Sequence, residues 1–256
     1  MLHPLPHRDG GAEKVSVVIP ARNEEATVAD VVAGVLGLGS DVVAEVLVVD
    51  DGSGDATAAR AEAAGARVVA ADAGPGKGQA MWQGVRESSG DVVVFCDADL
   101  APFDPRYVPS LVEALVGQPG AALVKGRYHR TGTGGRVNEL VARPSLELLH
   151  PAVAHVRQPL GGEYAAWRDV LEQVPFVHGY GVDLGLVLDV AARFGPASVV
   201  EADLGERTHR NRSLDELRPQ AATVLEVALH RAGLLGRNLG ECPPLRTLPG
   251  YVRRTA

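Results

Sequence analysis

Four short apolar runs in the first hundred residues, 15–19, 46–49, 67–70 and 91–96, are rich in valine and near-continuous rather than alternating. That pattern predicts parallel strands covered on both faces, because a strand with one wet face alternates polar and apolar side chains. Residues 24–36, 55–64 and 78–88 lie between or after these runs and carry apolar or alanine-rich positions at helical spacing, each behind a turn-forming or capping stretch. Strand–helix–strand alternation with right-handed crossovers predicts a doubly wound α/β sheet whose ligand crevice lies at the carboxyl ends of the strands.

The alternation loosens after about residue 120. A strand-like stretch, 121–125, runs into Gly132-Thr-Gly-Gly135, which reads as a mobile loop, and a helix is predicted over 137–149. Regular patterning returns with a helix over 183–194, a strand over 197–202, and a helix over 214–232 broken or entered near Pro219. Residues 1–13, with Pro4 and Pro6 and no apolar periodicity, read as a loose leader.

At 256 residues and 46% hydrophobic the chain can bury one substantial core, and no composition shift forces a second independent domain. A net charge of −7 argues against a general nucleic-acid binder, so any anionic ligand needs a local basic cluster. Cys96 and Cys242 are too few for a disulfide framework or a cysteine zinc site. No stretch approaches the roughly 18 apolar residues of a membrane helix, and the start has no secretory apolar region. A soluble, cytoplasmic protein is the expectation.

Asp97-Ala-Asp99 follows the fourth run directly. Residues two apart in an extended strand exit point the same way, so both carboxylates can face the crevice. Such a pair suits a hard divalent cation that keeps several waters and accepts phosphate oxygens, although Asp is also an ordinary turn residue. Asp50-Asp-Gly-Ser-Gly-Asp55 reads as a turn with Ser53 or Asp55 capping the next helix, and a carboxylate there can also accept a nucleobase N–H. Pro20-Ala-Arg-Asn-Glu24 would line the same base or ribose. The first run lacks a following G-x-G-x-x-G, and Gly76-Lys-Gly78 lacks a P-loop's long loop and Ser/Thr, which disfavours dinucleotide enzymes and P-loop ATPases. Lys77, at a predicted helix start, can bring charge and backbone N–H groups to a pyrophosphate or stand as a solvated turn lysine. Arg127, His129, Arg130, Arg136 and Arg143, and later Arg207-Thr-His-Arg-Asn-Arg212, reverse the overall sign of charge; they suit phosphate or carboxylate, or are simply exposed. His209 by spacing alone is an ordinary histidine or a metal ligand.

Val15-Ser-Val-Val-Ile-Pro-Ala-Arg-Asn-Glu-Glu25, Val48-Val-Asp-Asp-Gly-Ser53, Pro75-Gly-Lys-Gly78 and Asp97-Ala-Asp99 together resemble the nucleotide-sugar half of GT-A glycosyltransferases of the family-2-like type. Four further motifs are similar to those of the glucosyl-3-phosphoglycerate synthases of actinobacterial type. They are Gly134-Gly-Arg-Val-Asn-Glu-Leu-Val-Ala-Arg-Pro144, Gln158-Pro-Leu-Gly-Gly-Glu-Tyr-Ala-Ala166, Gly179-Tyr-Gly-Val-Asp183 and His209-Arg-Asn-Arg212. The likeness runs over about residues 15–233.

The resemblance implies a GT-A sheet with a nucleotide-sugar half over 14–125, an acceptor-binding and helical part over 126–234, and a tail over 235–256. It implies a retaining transfer of glucose from UDP-glucose to the 2-hydroxyl of 3-phosphoglycerate with Mg²⁺ or Mn²⁺. By motif, Asp99 and His209 would hold the metal, and Asp97 with Ala98 would support the ribose or metal shell. Lys77 and Asp51 would engage the uracil side, with Pro20, Ala21, Arg22 and Glu24 around base and ribose. Gly135, Arg136 and Asn138 would hold the acceptor phosphate, Asn211 would add a polar contact, and Tyr180 and Asp183 would hold glucose hydroxyls or the acceptor. The Leu160 carbonyl would stabilise positive charge at the sugar. The family pattern has Thr where this chain has Asn138 and Glu where it has Asp183, which bears on sugar and acceptor preference. A homodimer through the alanine-rich last helix is a further implication, beside ordinary intramolecular packing of that stripe. The readings left open beside it are a GDP-mannose or GDP-glucose transferase, another phosphorylated acceptor including a polyprenyl phosphate, and an inactive sugar-nucleotide-binding protein.

Overall fold

The computed structural model describes residues 13–130, 135–207 and 213–255. The predicted leader (all but Glu13), Gly132 to Gly134 of the glycine loop, and the candidate residues His209 and Asn211 lie outside the described residues.

The four apolar runs form β1 (Val15–Ala21), β2 (Glu45–Asp50), β3 (Arg67–Ala70) and β4 (Val92–Phe95). Helices α1 (Val28–Leu36), α2 (Thr57–Ala63) and α3 (Lys77–Glu87) connect them. Helix α1 starts four residues later than its apolar pattern: Glu24 to Thr27 form a turn, and the buried stripe is Val28, Val31, Val32 and Val35. Helix α3 lies hard against β1, where a Cβ on Gly84 would come 2.2 Å from Val18 Cγ1.

Helix α4 (Tyr107–Gly117) and strands β5 (Leu123–Arg130) and β6 (Tyr164–Trp167) follow, separated by α5 (Arg143–Leu149). Helix α5 continues a π-helical turn at Asn138–Ala142, so the predicted 137–149 helix exists but is widened at its start. Helix α6 (Arg168–Leu171), β7 (Phe176–Val177), α7 (Val182–Phe194), β8 (Val199–Arg207), α8 (Leu214–Arg231) and β9 (Glu241–Cys242) complete the chain. Helix α8 is entered at Ser213, whose side chain and that of Glu216 form a reciprocal capping box, and it runs unbroken through Pro219. The expected break there does not occur.

Seven strands form one sheet in the order β3-β2-β1-β4-β6-β5-β8. All are mutually parallel except β6, which pairs antiparallel with β4 (Phe95↔Tyr164) and with β5 (Lys125↔Tyr164). The sheet is thus mostly parallel, with helices over its buried valines, and β6 brings the segment 158–163 to the carboxyl end of β4. Strands β7 and β9 make a separate two-stranded ribbon. Among the described residues no helix is long and apolar enough to cross a membrane.

Candidate active site

The strand ends meet in a crevice built from three loops. After β1, Asn23 adopts φ 56°, and its backbone N–H donates to Ser53 Oγ at 3.0 Å while Gly54 N–H donates back to Asn23 Oδ1 at 2.8 Å. Glu25 and Ala56 are tied likewise through Asp55 and Glu25 side chains, and Glu24 N–H donates to Thr57 Oγ1 at 2.8 Å. Ser53 and Asp55 therefore fasten the β1 and β2 loops together, but neither is the helix cap expected of them. The N-cap of α2 is Ala56, without a side-chain cap, and Asp55 Oδ1 accepts from Thr57 N–H at 3.0 Å. Thr27 Oγ1 donates to the Ala98 carbonyl at 2.7 Å, which adds the β4 exit to the same frame.

Asp51 is buried, and both of its oxygens lie 2.9 Å from Gly76 N–H; Arg22 Nη1 lies 3.5 Å from Oδ2 with half its side chain in solvent. The glycine turn before α3 thus meets Asp51 through its backbone, at a glycine with φ 135°. Lys77 turns the other way. Its Nζ pairs with Asp97 Oδ1 at 3.0 Å and with Asp183 Oδ2 at 3.1 Å. Burial works against the charge on Lys77, but the two carboxylates outweigh it and hold the amine above the usual lysine range.

Asp183 opens α7 and is buried; burial raises its carboxyl while Lys77 and Lys125 pull it down. Its Oδ1 has no hydrogen-bond partner among the described residues. Lys125, on β5, is fully buried with Nζ 3.9 Å from that oxygen, 3.8 Å from the Tyr164 ring centre and 2.7 Å from the Gly161 carbonyl oxygen. Burial pushes Lys125 down to about 8 against the pull of Asp183.

The turn 158–162 borders this cluster. The Gln158 side chain exchanges hydrogen bonds with the Tyr128 backbone, and Gly126 N–H donates to the Glu163 carbonyl at 2.8 Å. Leu160, half-buried, sits at its tip, and Gly162 packs on the Asp97 carboxylate. Asp99, two residues on, is exposed at the crevice.

On the acceptor side, Gly135 at φ 78° leads into Arg136, half-buried at the helix start. Asn138 is buried, and its amide nitrogen donates at 2.9 Å both to Glu139 Oε1 and to the Arg157 carbonyl. Its amide donors are therefore both taken, one by the exposed Glu139 carboxylate, and Asn138 links the acceptor helix to the turn carrying Leu160. Tyr180 is exposed beside Gly179, whose N–H donates to Gln79 Oε1 at 3.0 Å. The basic cluster is partly neutralised: Arg127 and His129 share Asp203, and Arg143 pairs with Glu139.

The structure thus brings Lys77, Asp97 and Asp183 into direct contact, and Asp51 to Arg22 and the turn before Lys77. Lys125 and Gly162 were given no role from sequence. The readable signal for Lys125 is a lysine closing the apolar stretch 121–124; Gly162 lies in the motif Gln158 to Ala166. Among the described residues no group of three or more His, Cys, Asp or Glu side chains could hold a metal. Asp97 and Asp99 still fit Mg²⁺ or Mn²⁺, because such ions are commonly held by one or two hard carboxylate ligands with water and substrate phosphate oxygens.

The model of the family "Glycosyl transferase family 2" matches residues 16–180, which spans the exits of β1, β2 and β4 and the turn at 158–162. The chain belongs to this family. Among its family-2 relatives, the glucosyl-3-phosphoglycerate synthase of Mycolicibacterium smegmatis is 44% identical over 242 residues, covering 88% of this chain and 80% of that protein. The crystal structure of the Mycobacterium tuberculosis glucosyl-3-phosphoglycerate synthase with Mn²⁺, uridine-diphosphate-glucose and phosphoglyceric acid superposes with a TM-score of 0.87 at 40% identity. The match covers 94% of this chain and 96% of that one. A structure of the same protein with Mg²⁺ and uridine diphosphate has a TM-score of 0.86 at 41% identity, over 91% of each chain.

Proposed function

We propose that this family-2 glycosyltransferase is a metal-dependent glucosyl-3-phosphoglycerate synthase, transferring glucose from UDP-glucose to the 2-hydroxyl of 3-phosphoglycerate with retention. The observation that carries the reading is the near end-to-end likeness to a protein crystallised with that donor and that acceptor acid. In this reading residues 14–125 hold the donor and 126–234 the acceptor.

Asp51 is oriented by Gly76 N–H and, with Pro20, Ala21, Arg22 and Glu24, takes the uracil and ribose. Asp99 and His209 are assigned to the Mg²⁺ or Mn²⁺ ion, with Ala98 and Asp97 beside them. The bound ion supplies Lewis-acid neutralisation for the departing diphosphate. Gly135, Arg136 and Asn211 take the acceptor phosphate, Arg136 by a charge-assisted contact. Asn138 acts by holding the Arg157 carbonyl. Tyr180 and Asp183 bound the sugar and acceptor.

Retention is what the resemblance to the synthases implies, and a front-side route suits it. Asp183 is buried and paired with Lys77, and Asp97 shares the same ammonium, so neither is an open nucleophile. The acceptor hydroxyl attacks the sugar carbon on the face the diphosphate leaves, its proton passes to a diphosphate oxygen, and the Leu160 carbonyl dipole stabilises positive charge on the sugar. Cytoplasmic work and a homodimer through α8 belong to the same reading, and light scattering on the purified chain tests the dimer.

The experiment is a panel of UDP-glucose, GDP-glucose and GDP-mannose against phosphorylated three-carbon acids, with Mg²⁺. Glucosyl-3-phosphoglycerate from UDP-glucose is the expected product; no transfer to 3-phosphoglycerate from any donor refutes the acceptor assignment.

A further inference from the structure

We propose that Lys125 is a positioning residue for glucosyl transfer: from inside the sheet it fixes, through the Gly161 carbonyl, the turn that carries Leu160 against Asp97 and Asp183. The inference rests on the function proposed above.

Lys125 is the third residue of β5, directly after the buried Leu123 and Val124, and has no exposed surface, where a charge is costly unless paired and hydrogen-bonded. Its hydrogen bond among the described residues is the 2.7 Å bond to Gly161 O. Asp183 from α7 faces it at 3.9 Å, the Tyr164 ring from β6 at 3.8 Å, and Lys77 of α3, Asp97 of the β4 exit and Glu163 of the turn add their charges.

The centre of the turn needs such a clamp because its two glycines have no side chains to supply one. Two glycines in succession leave the backbone loose, and glycine loses more conformational freedom on ordering than any other residue. Neither glycine is replaceable by a stiffer residue. A Cβ on Gly161 would come 2.9 Å from the Gly126 carbonyl oxygen, and one on Gly162 would come 1.9 Å from Asp97 Oδ2. Gln158 and the Gly126–Glu163 bond hold the ends of the turn. Lys125 holds its centre by a charge-assisted bond, of the stronger class. That bond fixes the peptide joining Gly161 to Gly162, which sets Gly162 beside Asp97 and restrains the neighbouring Leu160–Gly161 peptide.

Lys125→Met keeps the apolar stem and removes the ammonium. Expected is a fall in kcat of about a hundredfold, the scale of a displacement of about 1 Å at a reacting centre. UDP affinity by calorimetry and the KM for 3-phosphoglycerate should stay within about twofold. Lys125→Arg, which keeps the cation, should regain part of the lost rate. The unmodified enzyme provides an arm that requires no variant. Burial pushes Lys125 down to about 8, so its kcat should decline between about pH 7.5 and 9.5 at constant KM for UDP-glucose, a decline that Lys125→Arg removes. Wild-type kcat in Lys125→Met, or equal loss of kcat and UDP affinity, overturns the inference; where Lys125→Met does not fold, wild-type kcat in Lys125→Gln overturns it. If the unmodified enzyme forms no glucosyl-3-phosphoglycerate, the proposed function is what fails, and the same comparison is read on metal-dependent release of UDP.

Discussion

Gly162 touches Asp97 with its bare α-carbon: a Cβ built there would fall 1.9 Å from Oδ2 and 2.2 Å from Cγ of the carboxylate. The antiparallel strand β6 makes this approach possible by returning the chain beside β4. Asp97 is in turn held by Lys77 at 3.0 Å, so it has little room to retreat.

Gly162→Ala should therefore displace Asp97 or the turn by more than a van der Waals adjustment. The expected result is loss of at least about a hundredfold in kcat, with the protein still folded by circular dichroism. Normal turnover in this variant would mean that the Asp97 carboxylate moves freely.

Asp99 carries the proposed metal contact from an exposed position at the β4 exit. Chelation by EDTA should abolish glucosyl transfer, and Mg²⁺ or Mn²⁺ should restore it. Asp99→Ala should stay inactive at saturating metal. Full activity of Asp99→Ala would remove this residue from the metal's ligands.

Asp183 is the shared counter-charge of the partly exposed Lys77, 3.1 Å away, and the fully buried Lys125, 3.9 Å away. Asp183→Asn leaves both ammonium groups short of negative charge, and breaking a buried pair in this way costs about 3–5 kcal/mol. Urea denaturation of the purified variant measures the loss; a change below about 1 kcal/mol would contradict the pairing. Lengthening to Glu, as the family pattern has it, places an extra methylene into a packed site and should cost about 1–3 kcal/mol.

Asp189 on α7 gives a pH signature remote from the crevice. Burial raises it from 3.8 to about 6, against the pull of Arg231 on α8. The folded state then binds its proton more tightly than the unfolded chain, so this group's contribution to stability grows as pH falls from about 6 to about 4. The stability difference between the unmodified protein and Asp189→Asn should move in favour of the unmodified protein over that window. A pH-independent difference in urea titrations would exclude the shift.

The strands β1 to β4 and the crevice at their ends were legible because valine runs and helical spacing are local signals. Strand β6 was not: Tyr164-Ala-Ala-Trp167 is four residues long, two of them alanines, and its antiparallel place between β4 and β5 is fixed by pairing with residues about 40 and 70 positions away. Helix α4 had a readable stripe in Tyr107, Val108, Leu111 and Leu115, interrupted to the eye by Pro105 and Pro109. At the site, Asp51, Lys77, Asp97, Asp99 and Asp183 could be named from motifs. Which carboxylates Lys77 would choose, and that Asn138 would spend its amide on Arg157, depended on the tertiary approach of α3, α7 and the turn at 158–162.

NMR of the product made from UDP-glucose labelled with ¹³C at the anomeric carbon, 3-phosphoglycerate and Mg²⁺ reads the new glycosidic bond directly. Expected is a single α-linked glucoside on the 2-hydroxyl of 3-phosphoglycerate, formed in step with UDP. A β-linked product, or UDP released with free glucose and no glucoside, would contradict the proposed transfer.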